Sequence, residues 1–387
     1  MMNDDFDAVV IGGGPAGSMS ALLLAKLGWR VALIERGGRF RDKACGHCLN
    51  LRVHPLLQRE GLLDDVRARS VGRSQRLRLH LGQREPVTIA LADDHRASGY
   101  LLVPRREFDQ LLRDRAARAG ATVVQSARAC LRSTDEHGAV VEVRSPPRQA
   151  RRVRCRLVVG ADGLRSGVAR AAGLATKKRI GRKFGFALDV RCPRADLLSS
   201  ETIEMFVVPG GYLGVVNQGR GLLHLAGLVS PPDADASSPV SFVAMVARRF
   251  NLLRRVGLAD TAASHVAKVL GAGPIPCRPR SVTGESVALV GDAAGYVEPF
   301  TGEGMSWALE GAEVLADVVV DQSPGNWTRA TADRYRRAWQ ARIGRRQWMC
   351  RAVAWSLERP RLLGVLAGAV ARPRPFARGL VGKVVMP

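Results

Sequence analysis

The sequence is poor in acidic residues, lysine and aromatic residues, and it has no long apolar run. Of its 387 residues, 59 are Lys or Arg but only 35 are Asp or Glu, and aromatic residues make up 5%. The longest apolar run, Leu362–Ala371, is shorter than the roughly 20 residues that cross a bilayer, so no transmembrane helix is expected. No long polar low-complexity tract occurs, and 46% of the residues are hydrophobic. This composition excludes a fibrous or wholly disordered chain and predicts an enzyme-sized globular fold.

The shortage of acidic residues leaves a net charge of +24, carried by 52 arginines and only seven lysines. Such a charge is typical of proteins that bind nucleic acid or anionic membranes. An arginine bias also follows from GC-rich codon usage, so the overall charge alone identifies no partner. No helix-turn-helix, zinc-finger or RNA-binding aromatic motif accompanies the charge, and we therefore expect no nucleic-acid partner.

Cysteine, histidine and the common hydrolase motifs are also sparse. Seven cysteines, an odd number, and the lack of a signal peptide predict a reducing, cytoplasmic setting without a disulfide framework. The seven histidines are scattered, and no second ligand pair follows Cys45-x-x-Cys48 at zinc-finger spacing, so no metal is expected. Neither a Gly-x-Ser-x-Gly elbow nor a phosphate loop ending in Gly-Lys-Ser/Thr occurs, which disfavours hydrolases and nucleotide-hydrolysing enzymes.

The first 35 residues have the pattern of a strand, a helix and a second strand. The apolar run Asp7–Ile11 predicts a strand, and it ends at the glycine-rich stretch Gly12–Gly17. Ser18–Leu27 predicts a helix and Arg30–Ile34 a second strand. The chain therefore starts with a βαβ unit.

Three glycines and one acid in this unit have the spacing of a dinucleotide-binding motif. Gly12 allows a tight turn, Gly14 lets the backbone approach a pyrophosphate, and Gly17 lets the helix pack closely on the strand. Glu35, 18 residues after Gly17, can accept hydrogen bonds from ribose hydroxyls. The sequence therefore predicts that a dinucleotide binds at the helix N-terminus.

Two later predicted strands end in turns that carry an aspartate. Leu157–Val159 runs into Gly160-Ala161-Asp162-Gly163, and Val287–Val290 runs into Gly291-Asp292-Ala293-Ala294-Gly295. The second turn is followed by Pro299-Phe300-Thr301-Gly302-Glu303-Gly304 and a helix to about residue 320. Backbone amides at this helix start can face a negatively charged ring system, while Asp292 can hold a sugar hydroxyl.

In order and spacing, these three motifs resemble the flavoprotein superfamily of aromatic-hydroxylase type monooxygenases and geranylgeranyl reductases. Val103–Leu112 is also similar to the Arg-x-x-Phe-Asp helix start of that family, and the resemblance spans nearly the whole chain. It implies bound FAD, with NADH or NADPH as a transient reductant, because the sequence has no second dinucleotide fingerprint.

The resemblance also implies roles for individual residues. Glu35 would bind the adenosine ribose, Gly12–Gly17 the pyrophosphate, and Arg105 the phosphate region. Asp292 would lie on the ribityl-phosphate side, and Asp162 would serve both FAD and NAD(P)H. The predicted cofactor-binding residues are Gly12, Gly14, Pro15, Ala16, Gly17, Glu35, Arg36, Cys45, Gly46, Arg105, Asp162, Gly291, Asp292, Gly302, Gly304 and Met305, the last three near the isoalloxazine ring.

The implied fold is α/β, with a Rossmann-type FAD-binding domain, an inserted antiparallel β-sheet substrate domain and a C-terminal helical segment. The FAD-binding domain would be discontinuous, comprising residues 1–175, with interleaved strands of the substrate domain, and residues 277–325. Residues 176–276 would form most of the substrate-binding sheet. Residues 326–387 would form the basic helical segment.

The stretch Lys43-Ala44-Cys45-Gly46-His47-Cys48 allows three interpretations. Cys-x-x-Cys is a dithiol redox motif, and a histidine inside it can lower a thiol pKa. The Lys-x-Cys-Gly pattern instead resembles the geranylgeranyl reductase branch, which places this cysteine beside the flavin ring and makes Cys45 the candidate catalytic residue. A purely structural loop is the third interpretation. We favour the flavin-lining role.

Two reactions suit the implied scaffold: hydroxylation by a monooxygenase and hydride transfer to an alkene by a reductase. Gly210–Asn217 lacks both the aromatic-x-Trp-x-Phe-Pro segment of geranylgeranyl reductases and the Trp-x-Trp-x-Ile-Pro of flavin halogenases. We therefore expect an NAD(P)H-driven monooxygenase that hydroxylates an apolar aromatic or polyketide-like small molecule. A flavin-dependent prenyl or lipid alkene reductase is the alternative. Weaker alternatives are a dithiol oxidoreductase using Cys45 and Cys48, and a basic nucleic-acid-binding protein.

The predicted substrate-domain strands contain five side chains that are candidates to line a cavity. Each alternates with apolar residues, and packing in the core is the favoured role for each. The five are Phe184, Phe186, Phe206, Tyr212 and His224.

Positive charge and tryptophan both concentrate near the C-terminus. From Thr331 to the end, 13 Lys and Arg stand against two acidic residues, a net charge of +11 in 57 residues. Four of the six tryptophans, Trp327, Trp339, Trp348 and Trp355, lie in or just before this stretch. The pattern fits a helix on a membrane surface and equally a helix packed on the protein's own body. Peripheral membrane contact is therefore an expectation, and the oligomeric state is open.

Overall fold

The structure, a computed structural model, describes most of the chain. The described residues are 5–38, 42–82, 85–91, 99–147, 149–176, 183–230, 239–252, 269–275, 279–297 and 302–357. The apolar run Leu362–Ala371, the C-terminal part of the predicted basic segment, and Pro299-Phe300-Thr301 lie outside them.

The described residues contain both strands and helices. The strands are β1 (Asp5–Ile11), β2 (Val31–Ile34), β3 (Cys48–Leu49), β4 (Gly72–Ser74), β5 (Arg76–Leu81), β6 (Val87–Ala90), β7 (Tyr100–Leu102), β8 (Thr122–Val124), β9 (Arg128–Asp135), β10 (Gly138–Arg144), β11 (Arg151–Gly160), β12 (Lys183–Arg191), β13 (Thr202–Val208), β14 (Gly211–Asn217), β15 (Leu222–Val229), β16 (Leu270–Ile275), β17 (Thr283–Gly284) and β18 (Val287–Leu289). The helices are α1 (Pro15–Lys26), α2 (His54–Arg59), α3 (Leu63–Ala68), α4 (Arg105–Arg118), α5 (Gly167–Ala171), α6 (Pro239–Arg249), α7 (Gly304–Val319), α8 (Arg329–Trp339) and α9 (Arg345–Leu357).

The first sheet has a parallel core in the order β18-β11-β1-β2-β8. Its central strands are continuous apolar runs, such as Val9–Val10 and Val31–Ile34, because both faces are buried. Helix α1 packs against α4 and α7 on this sheet. The antiparallel strands β9 and β10 extend the sheet from β11, and β17 pairs with β18.

The second sheet, which we call the roof sheet, has the order β16-β12-β15-β14-β13-β5-β6. Its pairs are antiparallel except for β5 and β13, which run parallel. Strands β5 and β6 precede α4 in the chain, so the roof sheet receives strands from two separate segments. A third, small sheet pairs β7 with β3 and β4.

The two faces of the roof sheet are both buried but pack differently. The outer face packs on α6, and the rings of Phe186 and Phe242 meet there edge to face with centroids 5.1 Å apart. Phe206 also lies on this outer face, and Phe184 is 40% exposed. None of the three phenylalanines therefore faces the first domain. Tyr212, another of the five candidate side chains, packs in the buried cluster on the inner face.

The C-terminal helix runs continuously through α8, a π-helical turn at Gln340–Gly344, and α9. Tyr335 anchors it, because its buried hydroxyl donates to the carbonyl of Leu289 in β18 at 2.7 Å. No helix in the described part of the chain is both long and apolar enough to cross a membrane. The predicted fold class is confirmed, while the exact domain boundaries stay a prediction.

Candidate functional site

Two glycines after β1 stand where no side chain fits. Gly12 has a φ of +111°, and a Cβ there would lie 2.4 Å from the carbonyl oxygen of Ala161. A Cβ at Gly17 would lie 1.8 Å from the carbonyl oxygen of Gly12. Both contacts are with backbone, so the tight turn and the close approach of α1 to the strand require glycine, as predicted.

Gly14, between them, faces an open and positively charged space. A Cβ at Gly14 would have only two side-chain neighbours within 4 Å among the described residues, Lys43 Nζ at 3.5 Å and Arg105 Nη2 at 3.8 Å. Pro15 follows as the first residue of α1, and no described side chain caps that helix end. Uncapped amides at a helix N-terminus and two cations together favour an anion. A dinucleotide pyrophosphate therefore fits here.

Arg105 and Lys43 share one carboxylate. Asp109 accepts from Arg105 Nε at 2.9 Å and Nη2 at 3.0 Å, and from Lys43 Nζ at 3.3 Å. Burial opposes the charge on Arg105, but Asp109, Cys45 and Asp292 together outweigh burial and raise the pKa of the guanidinium. Arg105 therefore lies charged beside Gly14, where the sequence predicted it. Lys43, which lies beside Gly14 as well, was not among the predicted cofactor-binding residues, although it stands in the Lys-x-Cys-Gly pattern.

Glu35 lies directly beside the glycine-rich loop. Its Oε2 accepts from the backbone N–H of Gly13 at 2.7 Å and its Oε1 from that of Gly37 at 2.8 Å. These two bonds fix the carboxylate and leave lone pairs for ribose hydroxyls. Arg36, the neighbouring predicted residue, is exposed and is not brought into this cluster.

Asp162, after β11, has one oxygen engaged and one buried without a partner. Its Oδ2 accepts from the N–H groups of Gly167 at 2.6 Å and Val168 at 3.1 Å, at the start of α5. Its Oδ1 has no hydrogen-bond partner among the described residues. A buried acceptor of this kind is costly to leave unpaired, so a donor from a bound molecule fits here.

The turn after β18 brings Asp292 towards the two cations. Gly291 packs so closely on α1 that a Cβ would lie 2.7 Å from the Cβ of Ala16. Burial raises the pKa of Asp292, while Arg105 and Lys43 oppose the rise. The predicted residues Gly12–Gly17, Glu35, Arg105 and Asp292 therefore form one cluster around the N-terminus of α1.

The segment before α7 meets the second half of the Cys-x-x-Cys motif. Gly302 has a φ of +69°, and a Cβ there would lie 3.0 Å from the Cβ of Cys48. Gly304 begins α7 with open space around it, and Met305 beside it is buried. Cys48 is therefore in contact with the segment predicted to face the isoalloxazine ring.

The two cysteines of the motif are both free thiols in different settings. Burial, and secondarily the neighbouring Cys45, raises the pKa of Cys48 to about 12. The thiolate is the form that exchanges disulfides, so a Cys48 that keeps its proton disfavours the dithiol interpretation. Gly46, the other predicted residue of this loop, lies close to the roof sheet, since a Cβ at Gly46 would be 3.9 Å from the Cβ of Ala226.

The roof sheet holds this loop through a histidine that sequence analysis assigned to packing. His224 Nε2 lies 2.8 Å from the carbonyl oxygen of Cys45, and its Nδ1 lies 2.7 Å from Asp189 Oδ1. Both partners are acceptors, so the ring makes both hydrogen bonds only in its doubly protonated form. His47 stacks on His224 with centroids 3.9 Å apart. We call these three side chains, His47, Asp189 and His224, the histidine clamp.

His47 itself is held neutral within the clamp. Burial, followed by the nearby His224, lowers the pKa of His47 to about 3. Its φ of +61° is unusual for a residue with a side chain. No local pattern predicts the clamp, because its members come from β12, β15 and the loop before β3.

The cluster on the inner face of the roof sheet next to Cys48 is mostly aliphatic, with Tyr100 and Tyr212 as its aromatic members. The side chains from β5, β13, β14 and β15 form one buried cluster, with Cys48 and Tyr296 packed against it. Its aliphatic members on these strands are Leu77, Leu79, Leu81, Ile203, Met205, Val207, Val216 and Leu228.

Glu303, between Gly302 and Gly304, is a buried acid next to the same segment. It is ion-paired with Arg346 of α9, which also binds Glu310 at 2.6 Å. Burial raises the pKa of Glu303 to about 7, although Arg346 opposes the rise. Glu303 can therefore carry a proton near neutral pH, a property that sequence analysis did not predict.

The profile of the FAD binding domain family matches residues 5–199 of the chain. A digeranylgeranylglycerophospholipid reductase of Methanocaldococcus jannaschii is 27% identical over 348 residues, which cover 88% of this chain and 83% of the relative. A menaquinone reductase of Mycolicibacterium smegmatis is 30% identical over 391 residues, which cover 96% of this chain and 88% of the relative.

Solved structures show the same fold. A geranylgeranyl bacteriochlorophyll reductase-like protein of Thermoplasma acidophilum superposes with a TM-score of 0.80 at 20% identity, covering 98% of this chain and 96% of that one. Flavin-dependent monooxygenases and halogenases are further structural neighbours.

The fold and the cluster around α1 define an FAD-dependent oxidoreductase, as predicted. The chain belongs to the FAD binding domain family. The contacts of individual residues with FAD stay a prediction, and the geometry of Gly14, Glu35 and Asp162 fits that cofactor. Among the described residues, no three His, Cys, Asp or Glu side chains are grouped so as to hold a metal ion.

Proposed function

We propose that the protein is a flavin-dependent reductase that saturates carbon–carbon double bonds of an isoprenoid chain. The observation that carries the proposal is the aliphatic inner face of the roof sheet, which packs directly on Cys48. A flexible hydrocarbon chain is complementary to Leu, Ile, Val and Met side chains, and such a surface offers few polar groups to orient a phenol. The substrate class is therefore a prenyl lipid.

The sequence left two reactions open, hydroxylation and alkene reduction, and the relatives also favour reduction. Their names, digeranylgeranylglycerophospholipid reductase and menaquinone reductase, describe reduction of isoprenoid compounds. The sequence favoured hydroxylation because Gly210–Asn217 lacks the tryptophan segment of geranylgeranyl reductases. In this chain those residues include β14, whose inner face carries Tyr212 and Val216 instead. An aliphatic residue at this position still suits a prenyl chain, so the missing motif does not exclude reduction.

The residues of this chain have separable tasks in such a reaction. When bound and reduced by NADH or NADPH, FAD supplies the hydride. Lys43, Arg105 and the amides at Gly14 hold the pyrophosphate, and the aliphatic face excludes water from the alkene. Cys48 remains a thiol, and Glu303 holds a proton near neutral pH beside the segment of Gly302 and Gly304.

The test is an anaerobic single turnover. The flavin-loaded protein, reduced with one equivalent of NADPH, is mixed with geranylgeraniol or a geranylgeranyl phospholipid. Reoxidation of the flavin with a product heavier by two hydrogens supports the proposal. If these lipids leave the flavin reduced, and in a parallel reaction under labelled dioxygen a phenolic compound gains one labelled oxygen atom, the hydroxylase is the correct assignment.

A further inference from the structure

Glu303 is a fully buried acid with one carboxyl oxygen left over. Its Oε2 is ion-paired with Arg346 of α9, whereas its Oε1 has no hydrogen-bond partner among the described residues. Glu310 of α7 binds the same arginine with both of its oxygens, at 2.9 and 2.6 Å. A buried carboxylate with an unpaired oxygen is unfavourable, so the surroundings of Glu303 favour the form that carries a proton.

The groups that act on Glu303 come from several elements and balance one another. Burial raises the pKa of Glu303 to about 7, and Glu310 adds to the rise, while Arg346 and Arg52 oppose it. Arg52 lies just before α2. The fourth neighbour is Tyr100 of β7, whose own pKa is raised by burial and then by the charge of Glu303. Glu303 can therefore bind and release a proton near neutral pH, while Tyr100 keeps its proton.

Glu303 lies next to the aliphatic inner face of the roof sheet. A Cβ at Gly302, the residue before it, would lie 3.0 Å from the Cβ of Cys48 and 3.9 Å from the ring of Tyr100. Tyr100 belongs to the inner-face cluster, and Cys48 packs against that cluster. Tyr100 therefore adjoins both the segment of Glu303 and the surface assigned to the prenyl chain.

A cavity of about 590 Å³ is lined by other neighbours of Glu303. Arg52, Glu310 and Arg346 line it together with Arg342, whose side chain is 42% exposed. Because exposed side chains border the cavity, water has access to it. A proton lost from Glu303 can therefore be replaced from this side, without water entering the aliphatic face.

We propose that Glu303 supplies the proton that alkene reduction consumes, an inference that rests on the proposed function. Saturating a double bond forms two carbon–hydrogen bonds. The hydride from reduced FAD forms one of them, which leaves the flavin oxidised, and the π electron pair moves to the other carbon, which takes a proton. The hydroxyl of Tyr100 passes this proton on from Glu303, which becomes a carboxylate paired with Arg346. Water in the cavity then restores the acid.

The test is an anaerobic single turnover of the reduced, flavin-loaded protein with geranylgeraniol, from about pH 6 to about pH 9. Glu303→Gln keeps the shape of the side chain and the bond from Arg346 but has no proton to give. We expect flavin reoxidation by the lipid to slow about a hundredfold in this variant. The wild-type rate should fall as the pH rises and Glu303 ionises, and the variant should lose this dependence. Glu303→Asp, which retains a carboxyl group, should recover part of the rate.

The matched control is Glu313→Gln, which neutralises another buried acid on α7. Glu313 is paired with Arg59 and Arg342 and should leave the rate unchanged. Equal rates for the wild type and Glu303→Gln, or an equal loss in Glu313→Gln, would overturn the inference and leave the proposed function standing. A wild-type flavin that no prenyl lipid reoxidises would refute the proposed function instead, and the lipid step with it.

Infrared difference spectra give a second readout that needs no turnover. A protonated carboxyl band should be present near neutral pH in the wild type, disappear as the pH rises, and be missing from Glu303→Gln. The same band in both proteins would assign the proton to another group and overturn the inference. Unchanged flavin absorbance and melting temperature show that each variant is folded.

Discussion

The glycine-rich loop Gly12–Gly17 and the Cys45–Cys48 loop are held by different kinds of contact. The first is fixed by backbone packed on backbone, with Gly12 against Ala161 and Gly17 against Gly12. The second is fixed from outside, by the histidine clamp of the roof sheet and by Gly302. The shape of the phosphate-binding loop and the position of Cys45 therefore depend on separate sets of residues, and single substitutions can disturb one and spare the other.

The largest loss of stability is expected from Gly17→Ala, because the new side chain disrupts the backbone contact of the first loop. The new Cβ would lie 1.8 Å from the carbonyl oxygen of Gly12, so the helix and the strand must separate. We expect a loss of about 3 kcal/mol or more in the free energy of unfolding. Denaturant titration measures it. Gly271→Ala, with no described neighbour within 4 Å, is the control, and equal stability of the two variants would contradict the packing argument.

Gly14→Val should remove the cofactor without unfolding the protein. The φ of −79° suits valine, but its side chain would fill the space faced by Lys43 and Arg105. We expect flavin affinity to fall by about a hundredfold or more, roughly the loss of two charge-assisted hydrogen bonds. Flavin absorbance and the far-ultraviolet circular dichroism of the purified variant measure the two properties. Normal flavin content in this variant would refute the phosphate-loop assignment.

His47→Asn should change how stability depends on pH. Because the pKa of His47 is lowered from 6.5 to about 3, the unfolded chain takes up a proton between these values and the folded one does not. The contribution of neutral His47 to the free energy of unfolding is fully present above pH 6.5 and is lost as the pH falls. From pH 6.5 to 5 the wild type should lose about 2 kcal/mol more than the variant, in which asparagine tolerates the positive φ. Parallel stability curves of the two proteins would contradict the assignment.

His224→Gln should loosen the second loop and leave the first intact. Glutamine cannot reach both Asp189 and the carbonyl of Cys45, so we expect the alkylation rate of Cys45 by iodoacetamide to rise about fivefold. Flavin content should stay unchanged. His80→Gln is the matched control, because His80 binds Glu204 at 2.6 Å and stacks on Phe206 of the outer face of the same sheet. If both variants alkylate at the same rate, the clamp does not position Cys45.

The residues that could be predicted from the sequence follow local rules. Gly12, Gly14 and Gly17 are set by the geometry of one turn, and Glu35 by the length of one βαβ unit. Lys43 could not be placed, because its partner Asp109 lies 66 residues further along the chain. The clamp joins His224 to Cys45 over 179 residues. Long-range contacts of this kind leave no spacing signal in a single sequence.

The roof sheet shows a second limit of prediction from the sequence. Alternation predicts which side chains share a face of a strand, but it does not say which face is the inner one. When both faces are buried, as on β13, apolar residues occupy both, with Phe206 outward and Met205 inward. For this reason the three phenylalanines among the five side chains proposed to line a cavity point away from the first domain.

The parallel pairing of β5 with β13 has a consequence for how the chain becomes folded during synthesis. Residues 76–81 cannot form their hydrogen bonds with residues 202–208 until the latter have been synthesised. The first sheet likewise lacks β18 until residues 287–289 have been made. Neither sheet is complete while the ribosome has produced only the first half of the protein, so the nascent chain exposes strand edges and apolar faces for a long interval. Folding should therefore be slow and aggregation-sensitive, and neither half of the chain is a unit that can be produced alone.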